Sequence, residues 1–162
     1  VKLSVGSDEV SITTSGGQSI RFRESQVREM GRAAAGVRAI RLKKGDEVSS
    51  MDIVPTGKKI DAKKLRLLVV MANGYGKQTP LGEYKVQRRG GSGVKTANIT
   101  KKTGPLIGAQ LISGEEELFA ISAKGQIIRT KVAAVRTAGR ATQGVRIMTL
   151  NAGDRLAGII CM

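Results

Sequence analysis

GQSIRFRESQVREMGRAAAG (residues 17–36), GYGKQTPLGEYKVQRRGGSG (74–93) and GQIIRTKVAAVRTAGRATQG (125–144) stack without gaps over their whole length. Each opens and closes on glycine, and a valine follows the closing one in all three: Val37, Val94 and Val145. Arg32, Arg89 and Arg140 stand at one register, four residues before that closing glycine. The closing glycines at 36, 93 and 144 lie 57 and then 51 residues apart. Periods of about 50 residues belong to propeller-like arrays or solenoids, in which each unit is one supersecondary element.

Outward from these segments the pattern is that of short strands. An apolar run precedes each opening glycine, at residues 10–13, 67–71 and 118–121. A glycine-containing turn (SGG, ANG, AKG) then leads into a second run, such as 19–23 or 126–131, which is the signature of a hairpin. After the closing glycine, GVRAIRL, GVKTANI and GVRIMTL set β-branched residues among polar ones and read as a third strand. Gly45-Asp46 and Gly153-Asp154 mark a further turn, with Gly104-Pro105 in the middle unit, and 48–54 and 156–161 supply a fourth strand. Residues 25–30 and 132–135 offer at most a helical turn. The expectation is an all-β chain of about three four-stranded antiparallel blades, at 1–56, 64–113 and 114–162, within one domain. The polar stretch 55–64 (PTGKKIDAKK) reads as a surface loop between the first two blades.

The chain has 162 residues, with 28 Lys and Arg against 13 Asp and Glu, a formal net charge of +15. A charge of this sign and size points to a polyanionic partner, nucleic acid first. Aromatic residues are 2% of the chain, too few for a binder that stacks successive single-stranded bases. One cysteine and no histidine leave no zinc set and no histidine-dependent catalytic arrangement. Glu115, Glu116 and Glu117 are consecutive at a strand start and read as a solvated turn. Tyr75 and Tyr84 have no base or metal-ligating cluster beside them in sequence, so no catalytic residue, metal or cofactor is assigned. Cys161, in the apolar run at the end, reads as a buried strand thiol. The first residues lack the apolar core of a signal peptide, and no run approaches a membrane span, so a cytoplasmic protein without a membrane partner is expected. The missing initiator Met and the apolar end read as a fragment of something longer.

The candidate binding residues are cations on glycine-rich loops. Gln87, Arg88, Arg89, Gly90, Gly91, Ser92 and Gly93 join two adjacent arginines to three glycines, with Lys85 just before them and Lys77 earlier in the unit. Arginine presents a fork of donors matched to phosphate oxygens, and glycine lets the backbone approach a ligand closely. Arg32 and Arg140 occupy the same register in the other units, each followed by a further cation, Arg38 or Arg146. One basic loop per blade along a common rim suits the phosphate backbone of bent duplex DNA. If roughly 6 phosphates are neutralised, the log–log salt slope of binding should be about −5.

The runs IRFRESQVREMGRAAAGVRAIRLKKGDEV, MANGYGKQTPLGEY and GRATQGVRIMTL resemble the C-terminal DNA-wrapping domain of bacterial DNA gyrase A, over essentially the whole chain. The resemblance implies a β-pinwheel, a disc of four-stranded blades that exchange strands with their neighbours, of which this chain looks like the C-terminal half. QRRGGSG at 87–93 is similar to that family's box QRRGGKG, with Ser92 where lysine is usual. The match carries a DNA-wrapping role onto Gln87, Arg88, Arg89, Gly90, Gly91 and Gly93. In that family the domain bends DNA and presents a crossover for strand passage, so that gyrase introduces negative supercoils. The catalytic tyrosine lies elsewhere in gyrase A, and ATP and Mg2+ are used elsewhere in an A2B2 assembly with gyrase B. The resemblance thus implies double-stranded DNA, the rest of gyrase A and gyrase B as partners, in the bacterial nucleoid. The equivalent domain of topoisomerase IV and a basic protein-interaction propeller are the alternatives.

Overall fold

The computed structural model of the chain describes residues 1–57 and 64–162. Residues 58–63, the centre of the loop expected at 55–64, lie outside the described residues. The first unit supplies β1 (Glu9–Thr14), β2 (Gln18–Arg23) and β3 (Val48–Val54). The second supplies β4 (Arg66–Met71), β5 (Tyr75–Pro80), β6 (Val94–Lys95) and β7 (Leu106–Ile112). The third supplies β8 (Glu117–Ser122), β9 (Ile127–Lys131), β10 (Val145–Arg146) and β11 (Leu156–Cys161). Helical structure among the described residues is limited to single 3-10 turns at Glu24–Gln26, Leu81–Glu83 and Val132–Ala134, one per unit just after its second strand. No helix among the described residues is long and apolar enough to cross a membrane.

The strands form three antiparallel sheets in the orders β3-β1-β2-β6, β10-β5-β4-β7 and β11-β8-β9. Each sheet therefore takes three strands from one unit, and the first two sheets take their fourth strand from the next. Val94 and Lys95 pair with Ser19 and Gln18, and Val145 and Arg146 pair with Gly76 and Tyr75. The strand expected after each closing glycine thus exists only as two residues, and it belongs to the preceding unit's sheet. Residues 37–42 form no strand, because the described residues contain no earlier unit for them to join. The expected blades at 1–56, 64–113 and 114–162 are blocks of sequence, and the sheets cross their boundaries.

The close approach of neighbouring units explains the repeated glycines. A Cβ on Gly144 would stand 2.5 Å from the carbonyl oxygen of Gly76, and one on Gly93 would stand 2.5 Å from that of Ser19. Opening glycines do the same in the reverse direction, Gly17 against the Ala97 carbonyl and Gly74 against that of Met148. Gly36 and Gly125 hold the same two registers at the outer faces of the array and meet nothing within 4 Å. The 19-residue spacing is therefore the signature of a strand passed between units.

Core packing follows the same stack. β4 is apolar at five consecutive positions, Leu67–Met71 in the sequence LLVVM, because it is buried on both faces. Leu67, Val69 and Met71 meet Val54, Leu81 and Tyr84, while Leu68 and Val70 meet Leu118, Val132 and Leu156. Burial of each such side chain is worth about 1.5–3 kcal/mol. β9 has one face open and alternates instead, with Ile127 63% exposed. Cys161 is buried in β11 among this packing, and desolvation pushes its thiol up to about 11. The glycine–aspartate turns are tied back to the hairpins: Asp46 accepts from Thr14 Oγ1, Ser15 Oγ and the Gly16 N–H, at 2.7, 3.0 and 2.7 Å. Burial raises the Asp46 pKa, but these hydrogen bonds outweigh it and hold the carboxyl below its ordinary range. Of the three glutamates, Glu116 caps the turn at Ser113 and Gly114, and Glu117 accepts from Arg129.

Candidate nucleic-acid interface

After its 3-10 turn each later unit runs beside the second strand of the unit before it, parallel to it, bridging Val86 to Arg21 and Thr137 to Gln78. The Gln87 N–H donates to Arg21 O at 2.7 Å, and the Ala138 N–H at the same register one unit on donates to Gln78 O at 2.9 Å. This contact delivers the loop 87–93 onto the first unit, where the Gly90 N–H donates to Ala39 O and the Arg41 N–H donates to Gly91 O, both at 2.8 Å. Gly90 has φ +83°, a left-handed conformation that lets the loop turn there. The loop is thus fixed by backbone bonds at both ends.

The arginine register has a structural use. The Arg89 guanidinium donates from Nε to Gln26 O at 3.0 Å and from Nη1 to Arg38 O, while its own N–H donates to Gln26 Oε1 at 2.7 Å. Arg140 repeats the arrangement one junction on, with Nη1 directed to Lys95 O at 3.5 Å and its N–H donating to Glu83 Oε2 at 3.2 Å. Arg38 and Lys95 are equivalent positions, so the same register clamps the same carbonyl twice. Arg89 and Arg140 are half-buried as a result, and Arg32, with no earlier unit to clamp among the described residues, is exposed. Sequence alone reads this register as a rim of phosphate contacts; the structure places two of its three guanidinium groups on backbone carbonyls instead.

The other candidates separate by exposure. Lys85, Arg88, Ser92, Arg38 and Arg146 are exposed, and Gln87, Gly90, Gly91 and Gly93 are half-buried. Arg88, Lys85, Arg38 and Arg146 form no ion pair among the described residues. Lys77 cannot contact a ligand directly, which corrects its place among the binding residues. Its side chain is fully buried in β5, and Nζ donates to Gly139 O and Arg140 O beneath the third unit's loop. Desolvation lowers its pKa to about 8, with nearby Glu83 opposing and Arg140 adding to the shift. Arg21 and Gln78, one register position further along, hold the next unit's 3-10 turn in the same manner. Arg21 donates to Leu81 O and Tyr84 O at 3.3 and 3.2 Å, and Gln78 Nε2 donates to Val132 O and Val135 O.

Two residues absent from the sequence-derived set join Arg146. Its Nη2 donates to Tyr75 Oη at 3.2 Å, its Cζ lies 5.6 Å from the Tyr75 ring centroid, and Lys102 Nζ lies 5.5 Å from the same centroid. The Arg146 hydrogen bond, against burial and with the two positive charges, holds the Tyr75 phenol below its ordinary pKa. A cleft of about 290 Å³ opens beside this group. No group of His, Cys, Asp and Glu among the described residues could hold a metal ion.

A family model described as "DNA gyrase C-terminal domain, beta-propeller" matches residues 8–55, 67–113 and 116–161. The DNA gyrase A protein of Staphylococcus epidermidis is 42% identical over 154 residues, covering 95% of this chain. That of Staphylococcus aureus is 43% identical over 150 residues, covering 93% of it. The chain spans 17% and 16% of the length of these relatives. Among solved structures, a DNA gyrase A C-terminal domain superposes with TM-score 0.86 at 25% identity, over 96% of this chain and 51% of that one. The C-terminal domain of a DNA topoisomerase IV superposes with TM-score 0.89 at 24% identity, over 99% of this chain and 48% of that one, a likeness of fold.

Proposed function

The chain belongs to the DNA gyrase C-terminal domain family, and from that premise we propose that it binds duplex DNA without sequence preference and bends it along its exposed basic loops. The bent segment is presented as a crossover for strand passage, so that the whole gyrase introduces negative supercoils using ATP. In this reading the chain is an accessory module. Strand cleavage lies elsewhere in gyrase A, and ATP and Mg2+ act with gyrase B in an A2B2 assembly in the bacterial cytoplasm. The identities of 42% and 43% to gyrase A proteins favour gyrase over topoisomerase IV, whose likeness is one of shape.

The observation that carries the reading is the division of labour in the loop 87–93. Arg89 is anchored on the first unit, and Arg88 beside it is exposed and unpaired among the described residues. An exposed cation on a loop fixed at both ends reaches a phosphate with little ordering cost. Binding should therefore strengthen with duplex length and weaken steeply with salt in gel shift.

Arg88→Ala and Arg89→Ala should part company. Arg88→Ala is expected to reduce the salt slope by about 0.9, the value of one phosphate contact, with the unfolding midpoint unchanged. Arg89→Ala should cost about 1–3 kcal/mol of stability, because it strips donors from Gln26 O and Arg38 O. Gel shift across a salt series and denaturant unfolding measure the two effects. Equal stability loss in both variants would overturn the division, and no duplex binding by the unaltered chain at low salt would sink the reading itself.

A further inference from the structure

Building on the duplex-binding reading, we propose a second phosphate site, apart from the loop 87–93: Tyr75, Lys102 and Arg146 close on one phosphodiester of the DNA backbone at the junction of the second and third units. Three donors converge there from three separate elements. Tyr75 lies in β5, Arg146 in the two-residue β10 exchanged from the third unit, and Lys102 in the turn before β7. Tyr75 is buried but lines the cleft, and its oxygen accepts from Arg146 Nη2, which leaves the phenolic proton for an acceptor lying in the cleft. Arg146 keeps further N–H groups and Lys102 its ammonium, and neither forms an ion pair among the described residues. Together they match the oxygens of one phosphate.

The group is held in place before any ligand arrives. β-pairing sets Arg146 directly opposite Tyr75. The turn that carries Lys102 is tied down by Asn73, whose Nδ2 donates to Lys101 O and Lys102 O, both at 3.1 Å. Thr103, buried, has its hydroxyl oxygen accepting from the Thr100 N–H at 3.0 Å and within reach of the Thr100 and Gly104 carbonyls in the same turn. The one carboxylate lining the cleft, Asp154, has its Oδ1 engaged by the N–H groups of Lys124 and Arg155 at 3.1 and 2.8 Å. Two cations thus face one tethered carboxylate.

The first junction lacks this arrangement although it has the same architecture. Gln18 stands where Tyr75 does, and Lys95, the counterpart of Arg146, donates to Asn98 Oδ1 at 2.9 Å. The cleft itself recurs at the first junction, where Gly16, Lys44 and Ile99 line a space of about 300 Å³, so what is particular to the second junction is the tyrosine and the arginine bonded to it. The second junction's cleft sits where the exchanged strand leaves the loop 139–144, so a duplex lying along that loop would pass over it.

Tyr75 makes the site its own reporter. The chain has two tyrosines and no tryptophan. Burial raises the Tyr84 pKa while Tyr75 is lowered, so Tyr75 ionises first on raising pH. A phosphate at the phenol disfavours tyrosinate, so a saturating duplex should move this first step to higher pH. The whole chain is titrated by tyrosinate difference absorbance alone, with a duplex, and with inorganic phosphate. Affinity across a salt series is measured for Tyr75→Phe, Lys102→Gln and Arg146→Gln. Tyr75→Phe should weaken binding on the order of tenfold at fixed salt, with its slope unchanged. The Lys102→Gln/Arg146→Gln double variant should lose about 0.9 of slope, one phosphate and not two. A Tyr75 step unmoved by duplex that the chain demonstrably binds would overturn the site while leaving the general reading intact. A step moved by inorganic phosphate but not by duplex would mark a small-anion pocket and overturn it equally. Absence of any duplex binding would instead be the failure of the general reading.

Discussion

Gly144→Ala is expected to destabilise the chain by several kcal/mol, on the order of 3–5, whereas Gly36→Ala at the same register costs about 1 kcal/mol. Both glycines have positive φ, +74° and +80°, so an alanine carries the left-handed penalty at either place. They differ in what the added methyl meets. At Gly144 it would lie 2.5 Å from Gly76 O and 2.8 Å from Gly76 C, both backbone atoms of β5 in the central sheet. Neither atom can move aside, because β5 is paired with β4 on one side and β10 on the other. The exchanged strand would have to lift off, carrying with it the loop that Lys77 holds. At Gly36 nothing lies within 4 Å. Denaturant unfolding of both variants gives the comparison directly. Equal losses would show that the close approach between units carries no weight, and that backbone conformation alone explains the glycines.

Much of this architecture is legible in the sequence, and its limits are physical. The hairpins could be read because turn glycines and apolar runs are local signals, and β1, β4 and β8 form where those runs stand. The unbroken run in β4 even marks the sheet buried on both faces. Strand exchange is different. GVRAIRL, GVKTANI and GVRIMTL look alike, yet two of them contribute short strands and one contributes none. Pairing depends on whether a preceding unit is present, and periodicity within a segment carries no information about that. The repeated arginine was visible as a register but not as a clamp, since its acceptors are carbonyls, which every residue has. Tyr75 illustrates the same limit from the side of the site. Its two cations lie 27 and 71 residues further along the chain and meet it only through the β5–β10 pairing and the turn before β7. In the sequence Lys77 shows only its charge, whereas Ile20 at the same register of the first unit is wholly buried and shows what the position demands.

That demand makes Lys77 the second place where a single change should have a large effect. Its stem is wholly buried beneath the third unit's loop, and its ammonium supplies the donors for Gly139 O and Arg140 O. Lys77→Ala removes both, leaving a cavity and two carbonyls without these bonds, at a cost of about 2–4 kcal/mol. Lys77→Met keeps the volume and loses only the donors and the charge. The pH dependence separates charge from packing. The folded chain holds Lys77 at about 8, below its ordinary 10.5, with desolvation the main cause. Between those values the unfolded chain binds the proton more tightly than the folded one, so stability should rise with pH across this window. Below about 8 both states are protonated and the burial cost is fully present. The unaltered chain should therefore gain on the order of 1–3 kcal/mol relative to Lys77→Met as pH goes from 8 to 10.5. Urea unfolding at several pH values measures the difference between the two proteins and cancels titrations they share. A difference that stays flat across the window would mean that the ammonium is stabilised by its carbonyls as well as by water, and that Lys77 is held for its hydrogen bonds without an electrostatic penalty.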